Sequence, residues 1–416
     1  MVARMKSSPE LSGLDKSKKT DSITEYLMST YFKSSKAEET EKPSGGGVGT
    51  LQLNSRERRA SAAVLEEVSE GLNRLTELGD VSRTALMALQ SKLKNWTFDI
   101  FELERLTTAP LYVMAEWCFL GLGFFEALGL DKVKFRTFFF AADGGYMPNI
   151  AYHTSTHGAD VCQGMFHLLT RGGLGAHVTQ TTAMAMLIAA GCHDMGHVGR
   201  NNKFLCDISH DLAVRYNDKS PLENLHAASA VQLLHREDSK FVRDAAQLKE
   251  VRRIVVDVIL ATDMAYHAEH LNKLDAHLET GPIDMAKDVD QGLALRLLLH
   301  TIDCGNPGRP WDTYATWTER VLEEFYEQGD DERSRGMPIT KAFDRDNQVP
   351  KAQFQLGFIG YIVKPLFEKA QLMKCVDLAE PLRMVNENET RWKVAAEEER
   401  KVAAERAAAE EAAAAS

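Results

Sequence analysis

Between Trp96 and the end of the segment 353–367, apolar residues recur at the three- and four-residue spacings of helices, and strand-like alternation is scarce. The segments run to roughly ten to twenty residues and are broken by Gly, Pro and Asn. The clearest are 182–192, 222–234, 251–263, 292–304, 311–328 and 353–367, with Pro148, Pro221, Pro307, Pro310 and Pro338 at boundaries. A proline ring lacks the N–H that a helix interior needs and restricts the residue before it, so it marks helix ends. The pattern predicts a large all-α domain.

The flanks read differently. Upstream, Val64, Leu65, Leu72, Leu75, Leu78, Leu86 and Leu89 are spaced by three, four and seven, which predicts one or two helices over 57–94. Residues 1–55 are rich in Ser, Lys, Glu and Thr and end in Pro43-Ser44-Gly45-Gly46-Gly47-Val48-Gly49, a flexible linker. Those glycines lack a following Lys-Ser/Thr and form no P-loop, and the short amphipathic piece 23–32 is read as part of the disordered region. After Asn386 the chain turns to Glu, Lys, Arg and Ala with almost no apolar stripe, which predicts a solvated helix without the hydrophobes of a coiled coil. Four regions are expected: a disordered segment and linker (1–55), a helical extension (56–90), a main domain (91–385) and a charged Ala/Glu-rich helical tail (386–416).

At 416 residues and 44% hydrophobic content, the chain can bury a substantial core in one large domain or two smaller ones. A formal charge of −11 argues against non-specific nucleic-acid binding, which needs a basic field. Cysteines 118, 162, 192, 206, 304 and 375 form no C-x-x-C pair, so neither a thiolate zinc site nor a disulfide framework is expected. No uninterrupted apolar run approaches about eighteen residues, the first residues lack the apolar core of a signal peptide, and Val2 replaces the glycine of a myristoylation signal. The expectation is a soluble, cytoplasmic protein with no transmembrane segment, in which the sequons at Asn95 and Asn388 are incidental.

Chemistry concentrates in two segments, His153-Thr154-Ser155-Thr156-His157 and His193-Asp194-Met195-Gly196-His197. Imidazole and carboxylate are ligands that divalent zinc, magnesium and manganese accept, and helical spacing of four sets two such groups on one face. One pair is weak, but two pairs, one fused to an aspartate, point to a metal site. Asp303 ends the nearly apolar stretch 293–302, where an unpaired charge costs several kcal/mol and a metal would satisfy it. For Asp263, after the apolar stretch 254–262, a structural hydrogen bond is an equal alternative to a metal. Glu223 alone reads as a favourable charge in the first turn of a helix opened by Ser220-Pro221. Taken alone, Gln355 and Phe358 on their apolar helix read as core.

The run His193-Asp194-Met195-Gly196-His197-Val198-Gly199-Arg200-Asn201-Asn202-Lys203-Phe204 lies among further matches. These are Phe101-Glu102-Leu103, Tyr152-His153, Asp160-Val161, Tyr216-Asn217-Asp218, Leu222-Glu223-Asn224, Ala261-Thr262-Asp263-Met264, Asn306-Pro307, Glu323-Glu324-Phe325, Gln328-Gly329-Asp330 and Gln355-Leu356-Gly357-Phe358. In order and spacing the chain resembles, over about residues 90 to 375, the cyclic nucleotide phosphodiesterases of the animal and protist type, within the wider HD metal-phosphohydrolase group.

The resemblance implies an all-α phosphodiesterase catalytic domain with a deep bimetal pocket. It implies that His157, His193, Asp194 and Asp303 bind zinc, and that Asp194 bridges to a second ion, magnesium or manganese. His197, Glu223 and Thr262 would surround that ion's waters, and a hydroxide between the metals would attack the cyclic phosphodiester. His153 would protonate the departing 3′-oxygen; Glu324 is read either as hydrogen-bonded to it or as solvated on a Glu-rich face. Gln355 would grip the base between Phe358 and Val321, with Tyr152, Asn306 and Phe325 lining the pocket. The implied reaction is hydrolysis of cyclic AMP or cyclic GMP to the 5′-monophosphate. Arg309-Pro310-Trp311 after Asn306-Pro307 favours cyclic AMP, although a glutamine amide can turn over to suit either base. Rival readings are a catalytically weak nucleotide-binding regulator or scaffold, and an HD-group phosphohydrolase of another nucleotide, which needs neither Gln355 nor Phe358. A homodimer is left open. Two departures are Thr154, where the family usually has Asn, and Leu225, where many relatives carry the first His of a pair whose second, His226, is retained.

Overall fold

A computed structural model of the protein describes residues 80–414, and among these no strand occurs. The linker, the piece 23–32 and the helical pattern as far as Leu78 lie outside the described residues. The longer helices are α1 (Asp80–Gln90), α2 (Ile100–Leu106), α3 (Pro110–Gly121), α4 (Lys132–Asp143), α5 (Ser155–Thr170), α6 (Gln180–Cys192) and α7 (Pro221–His235). They continue with α8 (Ala245–Leu260), α9 (His267–Thr280), α10 (Asp288–Asp303), α11 (Trp311–Ser334), α12 (Lys351–Phe358), α13 (Lys364–Leu372) and α14 (Ala379–Ala414). Among the described residues, no helix is long and apolar enough to cross a membrane.

The centre is α6, which is apolar all round and buried at every position from Thr182 to Cys192. Such a helix has no solvent face and must be surrounded; α3, α5, α7 and α8 pack around it. Each fully buried Leu, Ile or Met side chain there contributes about 1.5–3 kcal/mol. The Thr179 hydroxyl starts the helix by accepting the Thr182 N–H at 3.0 Å. At its other end Gly191 permits close approach, since a Cβ there would lie 2.9 Å from Leu111 Cδ1. A buried ion pair between Arg309 and Asp160, at 2.7 Å, ties α5 to the loop after α10. Arg309 also stacks 4.2 Å from the Trp96 ring, and the Trp317 indole donates to Asp160.

Helix α1 packs its fully buried Leu89 into the main core. Two expectations change. The single helix expected over 353–367 is interrupted by a π-turn at Ile359–Val363. Pro365 follows in the first turn of α13, where its missing N–H would leave an α-helical carbonyl unpaired. Lastly, the tail expected to be solvated from 386 is one helix beginning at Ala379, and Val385, Asn388, Trp392 and Ala396 are buried. Their spacing of three, four and four makes a stripe one residue wide, too sparse to stand out among charges. Asn388 donates to the carbonyls of Pro307 and Arg309, both at 2.8 Å, and Trp392 lies 5.0 Å from Trp311.

Candidate metal centre and pocket

Both histidine pairs straddle helix ends. Helix α6 stops at Cys192 and His193 is its C-cap; a turn through Gly196, at φ 83°, carries the chain to His197. Helix α5 starts only at Ser155, so His153 precedes it and Thr154 is its N-cap. The one-face helical argument therefore does not apply to either pair, although the His153 and His157 rings still meet at 6.0 Å, perpendicular.

His157, His193, Asp194 and Asp303 each offer one donor atom within 4.8 Å of the others. His193 Nδ1 lies 2.9 Å from the Ala190 carbonyl, which places a hydrogen there and turns Nε2 toward the carboxylates. That Nε2 is 2.9 Å from Asp194 Oδ2 and 3.1 Å from Asp303 Oδ1. His157 Nε2 is 3.4 and 3.1 Å from the same two oxygens. Among the described residues, no lysine or arginine is ion-paired with them. Burial disfavours a charged imidazole, yet Asp194 and Asp303 push His193 well above its usual range. Burial likewise works against the carboxylates, but His193 holds both below theirs. A nest of two carboxylates faced by two imidazole nitrogens draws positive charge, and a divalent cation fits its donor set.

Next to this set, His197 is buried, stacks on His153 at 3.7 Å and accepts the Gly199 N–H at Nδ1, which leaves Nε2 as the donor. Burial and the neighbouring His153 push it down to about 3, so it is neutral. Burial and Asp263 push Glu223 up to about 8, and Asn202 donates to it at 2.8 Å. Asp263 itself accepts from Ser220 Oγ at 2.7 Å and the Ala265 N–H at 2.9 Å. Thr262 is buried and donates to the Ile259 carbonyl. His226 approaches Asp194 Oδ1 to 3.7 Å, and Leu225 packs against the Gly196 turn.

Glu324 is 3% exposed, which removes the solvated alternative. Its Oε1 lies 2.5 Å from His153 Nδ1, and its Oε2 accepts the N–H groups of Tyr152 and His153 at 3.0 and 3.2 Å. Burial opposes the charge on His153, but Glu324 and Asp194 raise its value to about 9. Burial also opposes the charge on Glu324, while His153 draws it down to about 2. The pair is an imidazolium and a carboxylate at neutral pH.

These groups border a cavity of about 1090 Å³. Tyr152, His153, Asp194, His197, Glu223, Thr262, Asp303, Asn306, Val321, Phe325, Gln355 and Phe358 line it; His157, His193 and Glu324 lie behind its wall. Tyr152 and Asn306 are hydrogen-bonded to one another. Gln355 is buried and accepts from the Tyr314 hydroxyl at 2.6 Å, a contact sequence reasoning did not foresee. The available signal was the row Tyr314, Thr318, Val321, Phe325, which shares one face of α11. Asn202, which holds Glu223, was quoted within a motif but given no role. Thr154 Oγ1 is buried and makes no hydrogen bond.

The fold and site define an α-helical protein with a divalent-metal donor set at the floor of a deep pocket. The family model for 3′5′-cyclic nucleotide phosphodiesterase matches residues 152–387, and the chain belongs to that family. It is 33% identical to a probable 3′,5′-cyclic phosphodiesterase, pde-3, of Caenorhabditis elegans, over 72% of this chain and 48% of that protein. It is 32% identical to the 3′,5′-cyclic-nucleotide phosphodiesterase regA of Dictyostelium discoideum, over 73% of this chain and 38% of that one. It is 30% identical to the human high affinity cAMP-specific and IBMX-insensitive 3′,5′-cyclic phosphodiesterase 8A, over 83% and 44%. The chain thus spans about half the length, or less, of these curated relatives. Membership in this family implies use of divalent metal ions.

Proposed function

We propose that the chain hydrolyses a 3′,5′-cyclic nucleotide, cyclic AMP in preference to cyclic GMP, to the 5′-monophosphate. The observation that carries this reading is His153, held 2.5 Å from the buried Glu324 carboxylate, beside a four-donor metal set in a pocket walled by Gln355 and Phe358. His157, His193, Asp194 and Asp303 would hold zinc, which suits imidazole; a harder ion, magnesium or manganese, would lie beyond Asp194 among waters oriented by His197, Glu223 and Thr262. When bound, such ions activate water at neutral pH and offset charge on the phosphoryl oxygens.

The protein's own groups supply the rest. With Nδ1 committed to Glu324, His153 presents Nε2–H to the departing 3′-oxygen, which takes that proton. Glu324 holds the imidazole in orientation and stabilises its charged form. Gln355 can donate and accept along a purine edge, and the Tyr314 hydroxyl pins one end of its amide, which supports preference for one base over the other. The relative named as cAMP-specific supports cyclic AMP. A silent regulator would be expected to have lost part of the donor set, and all four donors converge.

The test is turnover of both cyclic nucleotides with zinc and magnesium, comparing wild type with Asp303→Ala and His153→Ala. Asp303→Ala should lose bound metal and nearly all activity, and undiminished hydrolysis would end the metal assignment. His153→Ala should keep metal and lose rate; normal rates would remove its role as acid.

A further inference from the structure

Beside the catalytic pocket, two short segments face each other in a way that the proposed reaction does not use. His300, Asp303 and Cys304 stand at i, i+3 and i+4, on one face of the last turn of α10 and its cap. Met264 and His267, three apart, open the turn and helix that follow α8. Across the gap the like groups meet: Cys304 Sγ lies 3.5 Å from Met264 Sδ, and His267 Nδ1 lies 3.0 Å from His300 Nε2. His300, Asp303 and Cys304 offer donor atoms within 4.8 Å of one another. His300 is fully buried and its Nδ1 makes no hydrogen bond.

We propose that Cys304, Met264 and His300 form a second metal site, selective for monovalent copper and adjoining the catalytic centre through Asp303. The donor set makes the choice of ion. A thioether is a poor ligand for zinc or magnesium and a good one for Cu(I), and thiolate with imidazole completes a soft S₂N set. Cu(I) would take the place of the thiol proton, which leaves to solvent. Met264, Asp303 and Cys304 all line the large cavity, which gives the ion a route in.

The experiment titrates the full chain, zinc-loaded and anaerobic, with Cu(I) in competition with bicinchoninate, and measures zinc in the same samples. The wild type should withdraw one equivalent of Cu(I) without losing zinc, and X-ray absorption at the copper edge should show both sulfur and nitrogen ligands. Cys304→Ser and Met264→Leu should each bind at least tenfold more weakly, whereas Cys206→Ser should bind as wild type. Hydrolysis by the wild type should fall with one equivalent of Cu(I), relative to its copper-free rate, and each of the first two variants should resist relative to its own. Equal copper binding by wild type and Met264→Leu overturns the site, as does loss of binding with Cys206→Ser alone. If Cys304→Ser also loses zinc, Met264→Leu, which removes only a thioether, decides the question.

Discussion

Glu324→Gln separates the acid from the metal site with one atom changed. In the native pair, burial works against the charged imidazole, yet Glu324 and Asp194 raise His153 from 6.5 to about 9. That rise corresponds to about 3 kcal/mol favouring the protonated form. A glutamine can still accept the backbone N–H groups of Tyr152 and His153 through its oxygen. Its NH₂ then faces Nδ1, which can only accept from it as a neutral imidazole. His153 should fall to about 6.5 or below, since burial then acts with less opposition. At pH 7.5 an acid of pKa 9 is nearly all protonated and one of 6.5 about one part in ten, so kcat should drop about tenfold. The deficit should shrink to under twofold near pH 6 and approach a hundredfold at pH 8.5. The sign also applies to stability. Because His153 is raised, the pair's contribution is complete below pH 6.5 and is lost as pH rises through about 9. Because Glu324 is lowered to about 2, its contribution is present above 4.5 and is lost as pH falls through about 2. The assay is kcat against pH from 5.5 to 9.5 with saturating substrate and metals. An alkaline limb in Glu324→Gln that overlays the wild-type limb would refute the reasoning.

Other substitutions probe separate parts of the molecule. Gly329→Ala places a Cβ 1.9 Å from the Phe343 carbonyl oxygen, so backbone must move; urea unfolding should show a loss of about 4 kcal/mol or more, and a loss under about 1 kcal/mol would contradict the packing. Trp392→Ala should cost about 3–5 kcal/mol in the same measurement because its ring is buried against Trp311 and Tyr314. A change within about 0.5 kcal/mol would return the helix to a solvated tail. Gln355→Ala should raise KM about ten- to a hundredfold with kcat nearly kept, as loss of a buried amide contact to the base predicts. A fall in thermal midpoint without a KM change would make Gln355 a core amide instead.

What could be read from the chain depended on how much local pattern each feature carried. Helix α6 is nearly apolar throughout, so its existence and burial needed no tertiary information. The candidate metal donors stood out because histidines and aspartates crowd two short segments, and Asp303 closes an apolar stretch. Glu324 was legible only as one of two alternatives, hydrogen-bonded to His153 or solvated. It shares its helix with Glu319, Glu323 and Glu327, and only the packing of α11 turns that one inward. Trp392 was missed for a related reason, since one buried residue per turn among charged neighbours gives no apolar face to detect. The helix boundaries at His153 and His193 were set by cap geometry, a positive φ at Gly196 and an extended Thr154, which spacing alone does not encode.

Those boundaries affect the chemistry of the site. Had the histidines lain in mid-helix, their carbonyls and N–H groups would be paired and electrically neutral around them. Instead Asp303 is the last residue of α10, and Asp194 follows the C-cap of α6. A helix C-terminus carries about half a negative charge in unpaired carbonyls and favours cations over carboxylates. Both aspartates are therefore placed against the field of their own helices, and they face the same point. The neighbouring imidazoles relieve this, and His193 is raised well above its normal range in doing so. The strain that would make these carboxylates poor structural residues favours a divalent cation there. Their destabilising position at two helix ends thus becomes a source of metal affinity, and the same field draws positive charge onto His153 a few ångströms away.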